Sequence, residues 1–249
     1  MMAGMRKKER EGRNIIVYGV SRGLGAAIFK KFPKSEDTIF GVSRSTPSFI
    51  NDAKSSHWIE ADLGAPIEST QKIAEDLGDM PLDILVYNVG IWEEKAFSDA
   101  YDFESVPADE VIKMVTTNIT SAILHIQALL PNLRLSANAK VILVGSTWGL
   151  PNHKGKELVF SATKFALKGM LESLREIVRE DKIGVSVLSL GYLATEFEID
   201  VPIKRVLEES HYSMIPLQDV LSAIEFIAST SSATCVKEII MPAMIDENV

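Results

Sequence analysis

The stretch Asn14-Ile15-Ile16-Val17-Tyr18-Gly19-Val20-Ser21-Arg22-Gly23-Leu24-Gly25 decides the fold. Its first five residues form an apolar run of strand length, ended by Gly19. Gly23 and Gly25 then open an amphipathic pattern over 23–32 that Pro33 stops. The order is therefore strand, glycine turn, helix. Glycine lets a backbone turn sharply and come close to a ligand. The unpaired N–H groups of a helix start favour an anion such as a pyrophosphate. The spacing is G-x-x-x-G-x-G, not the G-x-G-x-x-G of the general dinucleotide fingerprint. On the glycines alone, a strand-to-helix turn that holds no ligand is an equal reading.

Outward from this unit the alternation continues. Apolar runs at 38–42, 57–60, 82–87, 141–144, 185–188 and 238–241 read as further strands. Helical patterns cover 66–77, 107–130 and 161–180. Apolar strands joined by helices imply a parallel sheet covered on both faces. The expected fold is α/β: a single Rossmann-like doubly wound parallel sheet of about seven strands, in one domain over residues 14–249. Residues 1–13 mix five Lys and Arg with two Glu and carry no apolar segment, so they are read as a disordered tail and not a secretory signal.

Composition excludes several classes. A net charge of −8 argues against a general nucleic-acid binder. No apolar run nears the ~18 residues of a membrane span. The lone Cys235 cannot form an internal disulfide, which fits a reducing, cytoplasmic setting. No His, Cys, Asp or Glu cluster has metal-ligand spacing, and Ser146 lacks the positioned base of a hydrolase triad.

A second motif is Phe160-Ser161-Ala162-Thr163-Lys164. Phe160 and Lys164 are four apart, on one face of a helical turn. Gly145-Ser146 closes the apolar run at 141–144. Asn118 sits beside the stripe Val111, Met114, Val115, Ile119, Ala122, Ile123 and Ile126. Alone, this amide reads as a structural hydrogen-bonder, since an unsatisfied one costs ~1–3 kcal/mol.

Together, at these intervals, the motifs resemble the short-chain dehydrogenase/reductase family from about Ile15 to Met241. The glycine turn matches that family's T-G-x-x-x-G-x-G with Tyr18 in place of threonine. The resemblance implies a dinucleotide site at Gly19, Ser21, Arg22, Gly23, Leu24 and Gly25. It places Asp62 and Leu63 beside an adenine ring, and Asn88 and Gly90 in the turn after the fourth strand. Thr195 would hold the nicotinamide carboxamide, Lys164 the nicotinamide ribose, and Ser146 the substrate oxygen. Asn118 would hold a water linked to Lys164. The family's acid/base tyrosine falls at Phe160, which can neither donate nor accept a proton. Tyr18, Tyr87, Val89 and Leu190 also depart from the pattern.

Charge selects the cofactor. The resemblance implies an acid at the end of the second strand for NAD(H), but that end reads Ser43-Arg44. Arg22 and Arg44 would flank a 2′-phosphate, where charge-assisted bonds are strong. NADP(H) is therefore expected over NAD(H). The expected substrate is a small carbonyl or alcohol compound, without nucleic acid or membrane as partner. Like the family, the chain is expected to pair with its own copies, as a homodimer or homotetramer.

For Phe160 three readings stand: an engineered change, a natural member with a substitute donor or another reaction, or a cofactor-binding regulatory or scaffold protein without turnover. His153 is the first substitute donor to consider, because histidine titrates near neutrality; Tyr192 and Tyr212 follow. Residues 196–215 read as the substrate lid.

Overall fold

The computed structural model describes residues 11–50 and 56–249. Most of the expected N-terminal tail, residues 1–10, lies outside them. Arg13 within that expected tail is fixed: its backbone N–H donates to Asp37 at 2.8 Å and its Nε to the same carboxylate.

Seven parallel strands form one sheet in the order β3-β2-β1-β4-β5-β6-β7. They are β1 Asn14–Tyr18, β2 Thr38–Ser43, β3 Ser56–Glu60, β4 Ile84–Tyr87, β5 Lys140–Val144, β6 Gly184–Leu190 and β7 Glu238–Met241. All seven apolar runs are strands, as expected. Ile16 of β1 pairs with Phe40 on one side and Leu85 on the other, so β1 is central. Alternate residues of each strand serve opposite faces. Ile16, Tyr18, Leu85 and Tyr87 pack with Ile73, Ile126, Leu129, Leu167 and Leu171. Ile15, Val17, Ile84 and Val86 pack with Leu24, Ile28, Val220 and Ile224. Helices α2 (Pro66–Leu77), α4 (Ser121–Leu135) and α5 (Leu158–Ile177) thus cover one face, and α1 (Gly23–Lys31) and α7 (Leu217–Ser229) the other. Strand order reverses between β1 and β4. That switch point, at the carboxyl ends of the strands, is where open α/β sheets bind ligands.

Three boundaries differ from the expectation. The single helix over 107–130 is two: α3 (Ala108–Val115) and α4, joined by a π turn at Thr116–Thr120. α4 also runs through Pro131 to Leu135. α5 begins at Leu158 and not near Ser161, which puts Phe160 inside its first turn. The residues expected as a lid contain the short helix α6 (Ile203–Ser210), with Ile199, Val206 and Ile215 buried. Lys30 and Lys31 of α1 pair with Glu198 and Asp200 just before it.

Candidate functional site

Gly19 and Gly23 have φ of +82° and +57°, the left-handed region that glycine enters without strain. Gly25 is required by proximity: a Cβ there would lie 2.0 Å from the Gly19 carbonyl oxygen. The Arg22 side chain makes no cap bond at the start of α1, so the first-turn N–H groups receive no cap from it. A cleft of about 590 Å³ opens beside this turn, and Gly19, Ser21, Ser43, Arg44, Asp62 and Leu63 line it. Six residues expected to bind the cofactor therefore share one surface. Arg22 and Arg44 are both exposed.

The other expected residues adjoin this surface. Leu24 is buried in the core beneath the turn. Asn88 lies against Gly25, with its amide nitrogen 2.8 Å from where that Cβ would be. Thr195 packs its methyl group over Gly23, 3.3 Å from the position of a Cβ there. Gly90 faces Lys164 Nζ at 3.0 Å in the same sense. Two details qualify individual roles. The Ser43 hydroxyl already donates to the Ser45 carbonyl and accepts from the Trp58 indole. Asp62 Oδ1 accepts the Gly64 N–H at 2.9 Å. The residues suit a dinucleotide: a glycine turn, a helix start without a side-chain cap, two exposed guanidinium groups with no ion pair among the described residues, and no acid at the end of β2.

The second half of the site stands on β5, α5 and the π turn. Ser146 follows β5 and its Oγ accepts the Trp148 N–H at 3.2 Å. Lys164 is buried, and its Nζ donates to the Val144 carbonyl at 3.1 Å. Burial pushes its pKa down to about 8. The Phe160 ring lies beside it, with Nζ 5.4 Å from the ring centroid. Asn118, on the π turn, clamps the chain after β4: Oδ1 accepts the Ile91 N–H and Nδ2 donates to the Ile91 carbonyl, both at 2.8 Å. Nδ2 also donates to Thr163 Oγ1, three residues beyond Phe160. π turns inside helices often mark functional positions. Tyr87 OH holds the same turn by donating to the Thr117 carbonyl at 3.0 Å. Tyr18 and Tyr87, two departures from the family pattern, lie 5.1 Å apart in the core and not in the cleft.

Sequence reasoning missed the layer over Phe160. Trp92, Phe97, Trp148 and Tyr192 form a ring cluster with it. Two buried carboxylates fasten the cluster. Glu93 Oε1 accepts the Val159 N–H at 3.0 Å and the Phe160 N–H at 3.4 Å, capping α5 from a distant segment. Tyr101 OH accepts the Leu158 N–H and donates to the same Glu93 oxygen. Glu157 accepts from the Phe97 N–H at 2.9 Å and from the Trp148 indole at 2.6 Å. Burial alone would raise the Glu157 carboxyl, but these hydrogen bonds outweigh it and hold its pKa below the ordinary value.

His153 is poorly placed as a free proton donor. Its Nδ1 accepts the Gly155 N–H at 3.1 Å, which leaves Nε2 to donate to Ser161 Oγ at 2.9 Å. Tyr212 is exposed at the end of α6. A second pocket of about 220 Å³, near Arg175, Arg179, Lys182 and Cys235, contains none of the candidate residues.

A doubly wound sheet with a glycine turn at its switch point, and a buried lysine four residues past Phe160 in α5, is an α/β arrangement with the layout of a dinucleotide fold. The chain belongs to the short-chain dehydrogenase family of oxidoreductases, whose profile matches residues 13–205. It is 25% identical over 230 residues to the 3-oxoacyl-[acyl-carrier-protein] reductase FabG of Buchnera aphidicola, covering 87% of this chain and 90% of that protein. It is 30% identical over 192 residues to the rhamnolipids biosynthesis 3-oxoacyl-[acyl-carrier-protein] reductase of Pseudomonas aeruginosa, covering 72% of each. Among solved structures, the Pseudomonas aeruginosa RhlG/NADP active-site complex superposes with a TM-score of 0.77 at 25% identity, over 93% of this chain and 95% of that one. A short-chain dehydrogenase of Leptospira borgpetersenii with bound NAD+ shares the fold at a TM-score of 0.74 and 17% identity, over 98% of this chain and 96% of that one. No helix among the described residues is long and apolar enough to cross a membrane.

Proposed function

We propose that this chain binds NADP(H) in preference to NAD(H) and belongs to a line of carbonyl reductases in which Phe160 occupies the position of the acid/base tyrosine. The observation that carries this is the pairing on α5: a buried lysine with its amine beside an apolar ring, in a site otherwise furnished with Ser146 and Asn118. A bound nicotinamide dinucleotide would supply the hydride to a carbonyl carbon, or accept it from an alcohol. Gly19, Ser21, Gly23 and Gly25 would hold its pyrophosphate, with Arg22 and Arg44 on a 2′-phosphate and Asp62 and Leu63 at the adenine. Asn88, Gly90 and Thr195 would border the nicotinamide end. Lys164 would bind the nicotinamide ribose, and Ser146 Oγ would orient the substrate oxygen. Phe160 supplies no proton. A positioned acid or base typically contributes ~10²–10⁴ in rate, so turnover of a ketone should be slow as the chain stands.

Relatives with NADP and with NAD share the fold, so the preference rests on this chain's own charges. It is tested by titrating the full chain with NADPH and NADH, followed by tryptophan fluorescence or calorimetry. NADPH should bind about tenfold or more tighter, and Arg44→Ala should remove most of that difference. Equal weakening of both dinucleotides by Arg44→Ala would contradict the phosphate assignment.

The proposed assembly uses α4 and α5. Ile123 of α4, and Phe165 and Ile177 of α5, are exposed apolar residues on helices whose opposite sides cover the sheet. A two-fold pairing of these faces would cover them, and light scattering showing only monomer at micromolar concentration would count against it.

A further inference from the structure

We infer that the Phe97 ring fills a substrate-ring subsite above Phe160, so that this chain takes carbonyl compounds bearing an aromatic ring, which bind by displacing Phe97. The inference rests on the reaction centre proposed at Ser146, Phe160 and Lys164. Phe97 is the guest of the aromatic cluster because all four other rings meet it steeply: Trp148 at 5.3 Å and 85°, Phe160 at 5.6 Å and 87°, Trp92 at 5.8 Å and 61°, and Tyr192 at 5.9 Å and 83°. The walls come from separate parts of the fold: the chain after β4, the turn after β5, the start of α5 and the chain after β6. Several edge contacts on one ring favour an aromatic guest over an alkyl group of equal size, because the ring quadrupole rewards the geometry.

Two of the walls, Trp148 and Phe160, are anchored, whereas Trp92 and Tyr192 are at least as exposed as the guest, and the guest is held by one backbone bond to Glu157. The Trp148 indole is fastened to Glu157, and the first turn of α5 to Glu93 and Tyr101. Trp148 and Phe160 are buried at 3% and 6% exposure, whereas Phe97 is 37% exposed. Phe97 also has φ of +62°, a left-handed backbone that a bulky residue adopts only against strain. Its flanking residues, 98–100, are exposed. Release of the ring would relieve that strain and open the face of Phe160 to solvent. The bond between its N–H and Glu157 is the contact that must break.

The test uses the full chain without dinucleotide, with acetophenone and cyclohexyl methyl ketone as size-matched probes. Binding is read by tryptophan fluorescence, and the segment 94–102 by hydrogen exchange. Acetophenone should bind at least about tenfold tighter and should speed exchange at the Phe97 amide. Phe97→Ala should strengthen acetophenone binding about tenfold while keeping its preference over the cyclohexyl ketone. Phe97→Trp, a larger plug, should weaken it. Equal affinity for the two ketones, no binding of either, or unchanged exchange at saturation would overturn the inference. So would a Phe97→Ala protein that binds the two probes with equal affinity, since a plain cavity selects by size. If acetophenone displaces Phe97 but, with NADPH then added, is reduced no faster after Phe160→Tyr, the ring subsite stands and the reaction centre falls. If Phe160→Tyr reduces ketones without aryl preference, the reaction centre stands and the subsite falls.

Discussion

The two halves of the site differ in how they meet water. The half at the carboxyl ends of β1, β2 and β3 is an open cleft of about 590 Å³ lined by exposed Arg44, with exposed Arg22 in the adjoining glycine turn. The half at β5 and α5 is dry: Lys164 and Phe160 are buried, and the buried carboxylates Glu93 and Glu157 fasten the start of α5 and the aromatic rings over Phe160. The open half would take an anion at its glycine turn, where Arg22, Arg44 and the uncapped N–H groups of α1 stand apart from the acids Asp62, Glu94 and Glu110 that also line the cleft. The closed half is built to hold shape, because Glu93, Glu157, Asn118 and Lys164 each bond a backbone group. On the function proposed here, binding and turnover should be separable by substitution. Tyr18, Tyr87 and Leu190 are buried in the core, and on the proposed function Phe160 is the position that would lack the group presented to a substrate.

The first way to break this contrast is Glu93→Ala. Its carboxylate satisfies two buried N–H groups at the start of α5. Leaving both unpaired should destabilise the protein by about 3 kcal/mol, read from urea unfolding. Glu93→Gln keeps an acceptor oxygen and should cost less than half as much. A loss below about 1 kcal/mol for the alanine variant would show that Glu93 does not anchor the closed half.

A second way uses pH. The folded pKa of Lys164, about 8, lies below the unfolded value near 10.4. Between these values the unfolded chain holds the proton and the folded chain does not, so stability rises with pH. From pH 8 to 10 the protein should gain about 2–3 kcal/mol relative to Lys164→Met, which has no such slope. A pH-independent difference between the two would mean that Lys164 is wet and that the closed half is not closed.

The smallest effect is expected in the open half. The Ser43 hydroxyl is already committed to Ser45 and Trp58. Ser43→Ala should cost about 1 kcal/mol of stability and weaken NADPH by less than about threefold. A much larger loss of affinity, with stability unchanged, would give Ser43 a direct place on the phosphate.

The same contrast explains what was legible in the sequence. The open half is local: Gly19, Gly23 and Gly25 lie within one turn, and the strand ends carrying Arg44 and Asp62 follow from apolar runs. All seven strands were readable for that reason. The closed half is assembled from afar. Glu93 caps a helix start that is 66 residues away at Val159, and Phe97 reaches Glu157 across 60 residues. Neither acid stands in a spacing that sets it apart from a surface carboxylate. The start of α5 was misplaced because its cap is borrowed and not local. The π turn at Thr116–Thr120 was hidden because Val111, Met114, Val115 and Ile119 still read as one stripe. Asn118 was read as a hydrogen-bonder, but its partners, Ile91 and Thr163, required the structure.

On the proposed function, the closed half lacks only a proton donor at Phe160, with Ser146 and Lys164 in place. The most direct test is the single-turnover rate of a ketone that binds equally to the present chain and to Phe160→Tyr, with NADPH saturating. The account predicts a rise of at least about tenfold in the tyrosine variant, a cautious share of the usual acid/base effect. An unchanged rate would contradict it, and would show that a phenol is not what this site lacks.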